Sequence, residues 1–413
     1  MITRFFLLLP MLFVLLGACP RGAAGAGFAS LDGKVICGYQ GWFRAKGDAS
    51  GLGWVHFGNG AGFGPGSCTI DLWPDLSEFT QSERFPSPFH FEDGSVAELF
   101  SSVHPHTVRR HFRWMREYGI DGAFLQRFGT VLTAQRQKAS ADVVLQQCIE
   151  AATAENRSLA VMYDLTNLSP DRFPQIAEDW RQILAQGWKS HPCIQMHAGK
   201  PLVALYGLGF ASQPLALTEW RNLLRSLRES GASLFVGIPT HWREAKGDAH
   251  TDKAFHEILR EADILSPWTV GRMAKNADVE SIAKNIWEKD LAWCSEAGKA
   301  YVPVIFPGFS WHNLSKSRGQ DARVDAIPRQ GGRFLWYQAV KAVRAGARTL
   351  YVAMFDEIDE GTAVMKCAHR RPVGASPFLD VSDVPPDHYL WLSGQAGRLL
   401  RGEIQPTGAL PSR

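Results

Sequence analysis

Asp356, Glu357, Asp359 and Glu360 place four carboxylates within five residues, and an apolar run from Leu350 to Phe355 leads straight into them. Like charges this close repel, and in apolar surroundings some must stay protonated or be put to use. A carboxyl kept neutral beside one that ionises is what paired acid and base catalysis requires. Cleavage of a glycosidic bond needs such a pair. A solvated acidic turn and a calcium site built from the same oxygens are the alternatives. Other chemistries lack their residues: there is no Gly-x-Ser-x-Gly elbow, no Cys-x-x-Cys, and no Gly-x-Gly-x-x-Gly after a strand. His104, His106 and His111 match no strong metal template, so neither a metal nor a cofactor is expected.

Elements that would position the carboxylates recur along the chain. Continuous apolar runs begin at Val35, Asp121, Leu159, Leu202, Leu234, Asp263, Tyr301 and Leu350, with helical patterns between them. Runs of this kind read as strands buried on both faces. Eight strand–helix alternations predict a closed (β/α)8 TIM barrel, with an open doubly wound sheet as the alternative. In a barrel the chemistry gathers at the C-terminal strand ends. Those ends carry Tyr39, Gln40 and Trp42, then Gln126 and Arg127, Asp164, Tyr206, His241 and Trp242, Trp311, and Asp356 beside Glu357 and Glu360. Alternation turns some outward, so about four of Tyr39, Gln126, Asp164, Tyr206, His241 and Trp311 are expected in one pocket. The segment from Trp42 to Ser102 is long, rich in Gly and Pro, and studded with aromatics. It reads as an ordered loop walling the site, with Trp54, His56 and Trp73 as its candidate sugar contacts. An aromatic ring of this kind with few lysines suits a neutral, hydroxyl-rich ligand that stacks and hydrogen-bonds.

Composition bounds the rest. The 413 residues carry 44 Lys and Arg against 41 Asp and Glu, a net charge of +3, which argues against a nucleic-acid partner. Arg4 followed by the apolar run Phe5 to Leu16 reads as a signal peptide over residues 1–26, too short to span a membrane. Two exits fit: cleavage near Ala24-Gly25-Ala26, or a lipobox, Leu16-Gly17-Ala18-Cys19, that would anchor the chain by a lipid at Cys19. The expected location is secreted or periplasmic. The six other cysteines permit disulfides and equally suit buried free thiols. One barrel domain is expected over 31–401, with a disordered tail over 402–413.

The segment Glu357-Ile358-Asp359-Glu360-Gly361-Thr362 resembles the Glu-Trp-His-Glu-Gly-Thr pattern that follows the last barrel strand of glycoside hydrolase family 99, a relative of family 71. Arg113-Trp114-Met115-Arg116-Glu117-Tyr118-Gly119-Ile120-Asp121-Gly122 is similar to the segment entering the second strand there. Tyr39-Gln40-Gly41-Trp42-Phe43 and Asp71-Leu72-Trp73-Pro74 resemble a bacterial branch of that superfamily. The resemblance implies a barrel enzyme acting on carbohydrate: endo-α-mannosidases and mannanases in family 99, α-1,3-glucanases in family 71. It also implies action through the sugar's own 2-hydroxyl, with Glu357 as base and Glu360 as acid. The chain departs from the pattern at Ile358 and Asp359. A glycan-binding protein that keeps the barrel without catalysis is the competing expectation.

Overall fold

The computed structural model describes residues 28–59 and 62–413, so the expected signal segment and Cys19 lie outside the described residues. Eight parallel strands close the barrel. The first, Lys34–Tyr39, pairs with the second, Gly122–Phe128, on one side and with the eighth, Thr349–Val352, on the other. Ser158–Asp164, Lys200–Tyr206, Ser233–Pro239 and Ile264–Trp268 follow in order, each beside its predecessor. The seventh strand is split by Val302 and Pro303, which lacks a donor for the ladder. Its first half, Ala300–Tyr301, pairs with the sixth strand; its second half, Val304–Ile305, pairs with the eighth and completes the circle.

Helices cover the outside, among them Pro105–Tyr118, Gln135–Glu155, Phe173–Ala185, Leu217–Glu229, Arg333–Ala345 and His388–Leu400. Burial on both faces explains the unbroken apolar strands: every residue of the third and fifth is buried. Phe124, Phe235 and Tyr351 point inward and fill the barrel, with ring centroids 5.1–6.3 Å apart. Gly38 makes room for them, since a Cβ there would lie 2.3 Å from the Tyr351 hydroxyl.

The second helix begins at Gln135, so Ser140 lies within it and not at its cap. Ser140 instead accepts a hydrogen bond from Arg44 Nε at 2.7 Å, tying the helix to the long loop. The tail 402–413 is docked rather than free. Ile404 and Leu410 pack on the core, Trp336 Nε1 donates to Thr407 O at 3.0 Å, and Arg413 pairs with Asp387. The six described cysteines are all buried free thiols, the second of the two readings left open by their number.

The long loop has its own core. Phe43, Phe57, Phe63, Phe89 and Phe100 stack in a chain, and a hairpin of Phe85–His90 and Val96–Leu99 closes it. It is laced to the segment after the acidic turn, where Pro74 bridges to Cys367 and His90 to Val373. Asp71, on this loop, accepts from Ser310 Oγ and from the backbone N–H groups of His312 and Asn313. Its neighbouring N–H groups, its own and that of Leu72, donate to Ile358 O. The loop therefore braces both the acidic turn and the loop after the seventh strand.

Candidate active site

The chain leaves the eighth strand through a cis Ala353–Met354 peptide and turns back on itself. Phe355 N donates to Gly38 O, and Ala363 N donates to Glu357 O, so the acidic residues sit on a closed turn. Asp356 does not reach the cavity. It is wholly buried, and its two oxygens accept the backbone N–H groups of Gln40 and Gly41 at 2.7 and 2.9 Å. Burial pushes its carboxyl up to about 7, against the pull of those two donors. Its place is beneath the site, where it fixes the end of the first strand. Replacing Asp356 with Asn would set an amide N–H against one of those donors, at a cost of about 1–3 kcal/mol. A lower denaturation midpoint with a matching loss of activity would check this; parent stability would contradict it.

Glu357 is held from both sides. Gln40 Nε2 donates to Oε1 at 2.5 Å and Thr362 Oγ1 to Oε2 at 2.5 Å. Burial, then the neighbouring charge of Asp359, pushes its carboxyl up. Glu360 is raised well above its ordinary range by burial, then by the charges of Glu357 and Asp359. Both open into one cavity of about 370 Å³ at the C-terminal mouth of the barrel. Two carboxyls in one cleft, both shifted up and repelling, favour holding a proton between them.

The same cavity is lined by Gln40, Trp42, His56, Gln126, Asp164 and Tyr206, all named from the sequence. Trp42 and His56 stack face to face at 3.9 Å and form the wall contributed by the long loop. Burial pushes the Asp164 carboxyl up to about 6. Tyr206 packs edge-on against Trp268. Of the six strand-end residues expected together, Gln126, Asp164 and Tyr206 share the cavity, and Tyr39, His241 and Trp311 do not.

The misplaced residues share physical causes. Strand alternation turns Tyr39 outward, where its hydroxyl meets His111 Nδ1 at 2.9 Å. Arg127 is likewise outward, in ion pairs with Asp179 and Asp142 at 2.6 and 2.5 Å. Trp242 is buried, donating to Asp290 on the helix layer, and His241 faces Glu244 beyond the cavity. Trp73 packs on Phe89 and Phe378, and Trp54 on Phe57 and Phe63, inside the loop's own core; Trp54 also edges a shallower groove beside the cavity. Trp311 stands on the surface against Phe309.

Sequence reasoning missed Arg318, Thr166, Asn167, Phe128, Leu314 and Met354, which with Trp268 and Asp359 complete the lining. Arg318 follows a short helix, His312–Ser317, in the loop after the seventh strand, and no strand end marks it. Its charge opposes the upward push on Asp359 and Glu360. Among the described residues no group of His, Cys, Asp and Glu is arranged to hold a metal, and no helix is long and apolar enough to cross a membrane.

Comparison with known proteins reaches the same barrel. Two solved structures of the GH99 endo-alpha-mannosidase from Bacteroides thetaiotaomicron, one in complex with BIS-TRIS-propane, superpose with a TM-score of 0.64. They are 17% and 15% identical, covering 90% of this chain and 99% of theirs. No curated protein matches the sequence. The pattern of glycosyl hydrolase family 99 matches residues 77–399, from within the long loop to the final helix and through the whole acidic turn. A match over most of the chain, on a barrel whose mouth holds these carboxyls, makes it a member of glycosyl hydrolase family 99 and a glycosidase.

Proposed function

We propose that this glycosidase cleaves an α-linked mannoside-type oligo- or polysaccharide, with Glu360 as general acid and Glu357 as general base toward the sugar's 2-hydroxyl. The observation that carries the reading is the shared cavity, into which one turn delivers both carboxyls. Glu360 is pushed up by burial and by both of its carboxylate neighbours, which suits the partner that must keep a proton. Glu357 accepts from Gln40 and Thr362, and donors of this kind favour its ionised form, which suits a base. Trp42, Tyr206 and Trp268 supply flat apolar faces for a sugar ring, and Asp164 and Gln126 supply hydrogen-bonding groups. We further propose that the protein is exported, on the strength of the apolar run from Phe5 to Leu16 after Arg4.

The test is reducing-end release across a panel of α-mannans and α-glucans, with Glu357→Gln as control. Release from an α-mannoside by the parent alone is expected. Sugar that binds and stays intact would support a glycan-binding protein instead.

The raised carboxyls also set the pH response. The base must be ionised and the acid protonated, so rate falls as pH drops through the Glu357 value and as it rises through the Glu360 value. Both are displaced upward, which places the optimum above the ordinary carboxylate range of about 4–5. An optimum at or below about pH 4 would contradict the assignment. Stability should run the other way. The folded chain keeps protons that the unfolded chain has already released above about pH 4. The contribution of these groups to stability is therefore greatest below that point and declines as pH rises through the folded values, at up to about 1.4 kcal/mol per pH unit for each group. Thermal unfolding followed between pH 5 and 8 reads this slope.

A further inference from the structure

Three buried acceptor oxygens on residues lining the cavity have no hydrogen-bond partner among the described residues: Gln40 Oε1, Gln126 Oε1 and Asp359 Oδ1. Buried polar atoms in native proteins are rarely left unpaired, so each such atom asks for a partner. All three are acceptors, and a ligand that satisfies them must donate. Sugar hydroxyls do this without bringing negative charge into a cleft already lined by Asp164, Glu357, Asp359 and Glu360.

Asp359 is the sharpest of the three. Its side chain is 3% exposed, and its Oδ2 lies 3.8 Å from His56 Nδ1, beyond hydrogen-bond reach. Burial, then the charges of Arg44 and Arg318, push the His56 ring below its usual range, and no hydrogen bond from that ring reaches the carboxyl. Asp359 also stands at one of the two positions where the acidic segment departs from the family 99 pattern. The acceptor is therefore a feature of this chain rather than of the family pattern.

We infer that Asp359 determines specificity: its unpartnered oxygen accepts a hydrogen bond from one ring hydroxyl of the sugar held in the cleft, and the site selects a neutral sugar with that hydroxyl free. This rests on the glycosidase reading above and deepens it. The rival role is purely electrostatic, in which Asp359 only raises the carboxyls of Glu357 and Glu360.

The two roles separate on the substrate. The probes are the α-linked oligosaccharide cleaved in the panel and its 3-, 4- and 6-deoxy analogues. The 2-hydroxyl is left in place because it belongs to Glu357. For the parent, one analogue should lose about 10–100-fold in kcat/KM, the scale of one hydrogen bond to a charged acceptor. Asp359→Ala should lose a similar factor on the full substrate and little more on that analogue. Asp359→Asn, which keeps an acceptor oxygen and the shape, should retain part of the discrimination, and it keeps the test standing if the Ala variant does not fold. Calorimetric binding of the same probes should give the same ranking without turnover. A uniform loss across all analogues, or a parent that tolerates every deoxy substitution, overturns the inference. Failure of the parent to cleave any α-linked glycan overturns the α-mannoside reading instead, and the binding ranking of the panel glycan that binds and its deoxy analogues is then the measure of Asp359.

Discussion

Glu360→Gln and Glu357→Gln should each slow cleavage of a natural glycosidic linkage by about 10²–10⁴-fold, the range that general acid–base catalysis supplies. Glutamine keeps the shape and most of the hydrogen bonds of either side chain while removing proton transfer. At Glu357 it can still accept from one of Gln40 and Thr362, so the turn should hold. At Glu360 the substitution removes a buried carboxyl that crowds Glu357 and Asp359, so the melting temperature at pH 7.5 should equal or exceed that of the parent. Loss of rate with unchanged or improved stability identifies a group kept for function. Near-parent rates in both variants would remove the pair from the mechanism.

Arg127→Ala should produce the largest loss of stability, about 3–5 kcal/mol, because it strips a buried carboxylate of its partner. Arg127 and Asp179 are 2% and 3% exposed and meet through two hydrogen bonds of 2.6 Å, and Tyr163 donates to the same carboxylate at 2.7 Å. Lys138 Nζ, at 3.5 Å from Asp179, can recover part of the loss. The double replacement Arg127→Leu with Asp179→Leu should be milder than the single one, since no charge is left stranded. KM for the fraction that remains folded should stay at the parent value, because Arg127 faces the helix layer and not the cavity. Urea denaturation and kinetics on the same preparation check both halves. A raised KM with full stability would return Arg127 to the substrate site that its strand-end position suggests.

That pair of neighbours, Gln126 in the cavity and Arg127 behind it, shows where the sequence was legible and where it was not. Apolar runs buried on both faces announce strands plainly, and their order announces a barrel. The same double burial hides which alternate residues point inward, because neither face is marked by polarity. Tyr39 and Gln40 divide in the same way, one to the helix layer and one to Glu357. The acidic turn was readable because four carboxylates after an apolar strand have few structural uses. The long loop was readable as ordered, but its aromatics were not individually assignable. Trp54 and Trp73 serve the loop's own packing while Trp42 and His56 face the cavity, and spacing carries no trace of that division. Arg318 was out of reach altogether, since it is brought in by a short helix far from any strand end.

The assignment of acid and base is tested most directly by changing the leaving group. A glycosyl fluoride of the cleaved sugar departs without a proton, so it needs the base and not the acid. On this substrate Glu360→Gln should recover to within about tenfold of the parent rate, while Glu357→Gln should remain down by about 10²-fold or more. Equal impairment of the two variants on the fluoride, or recovery of Glu357→Gln alone, would contradict the roles given to this pair.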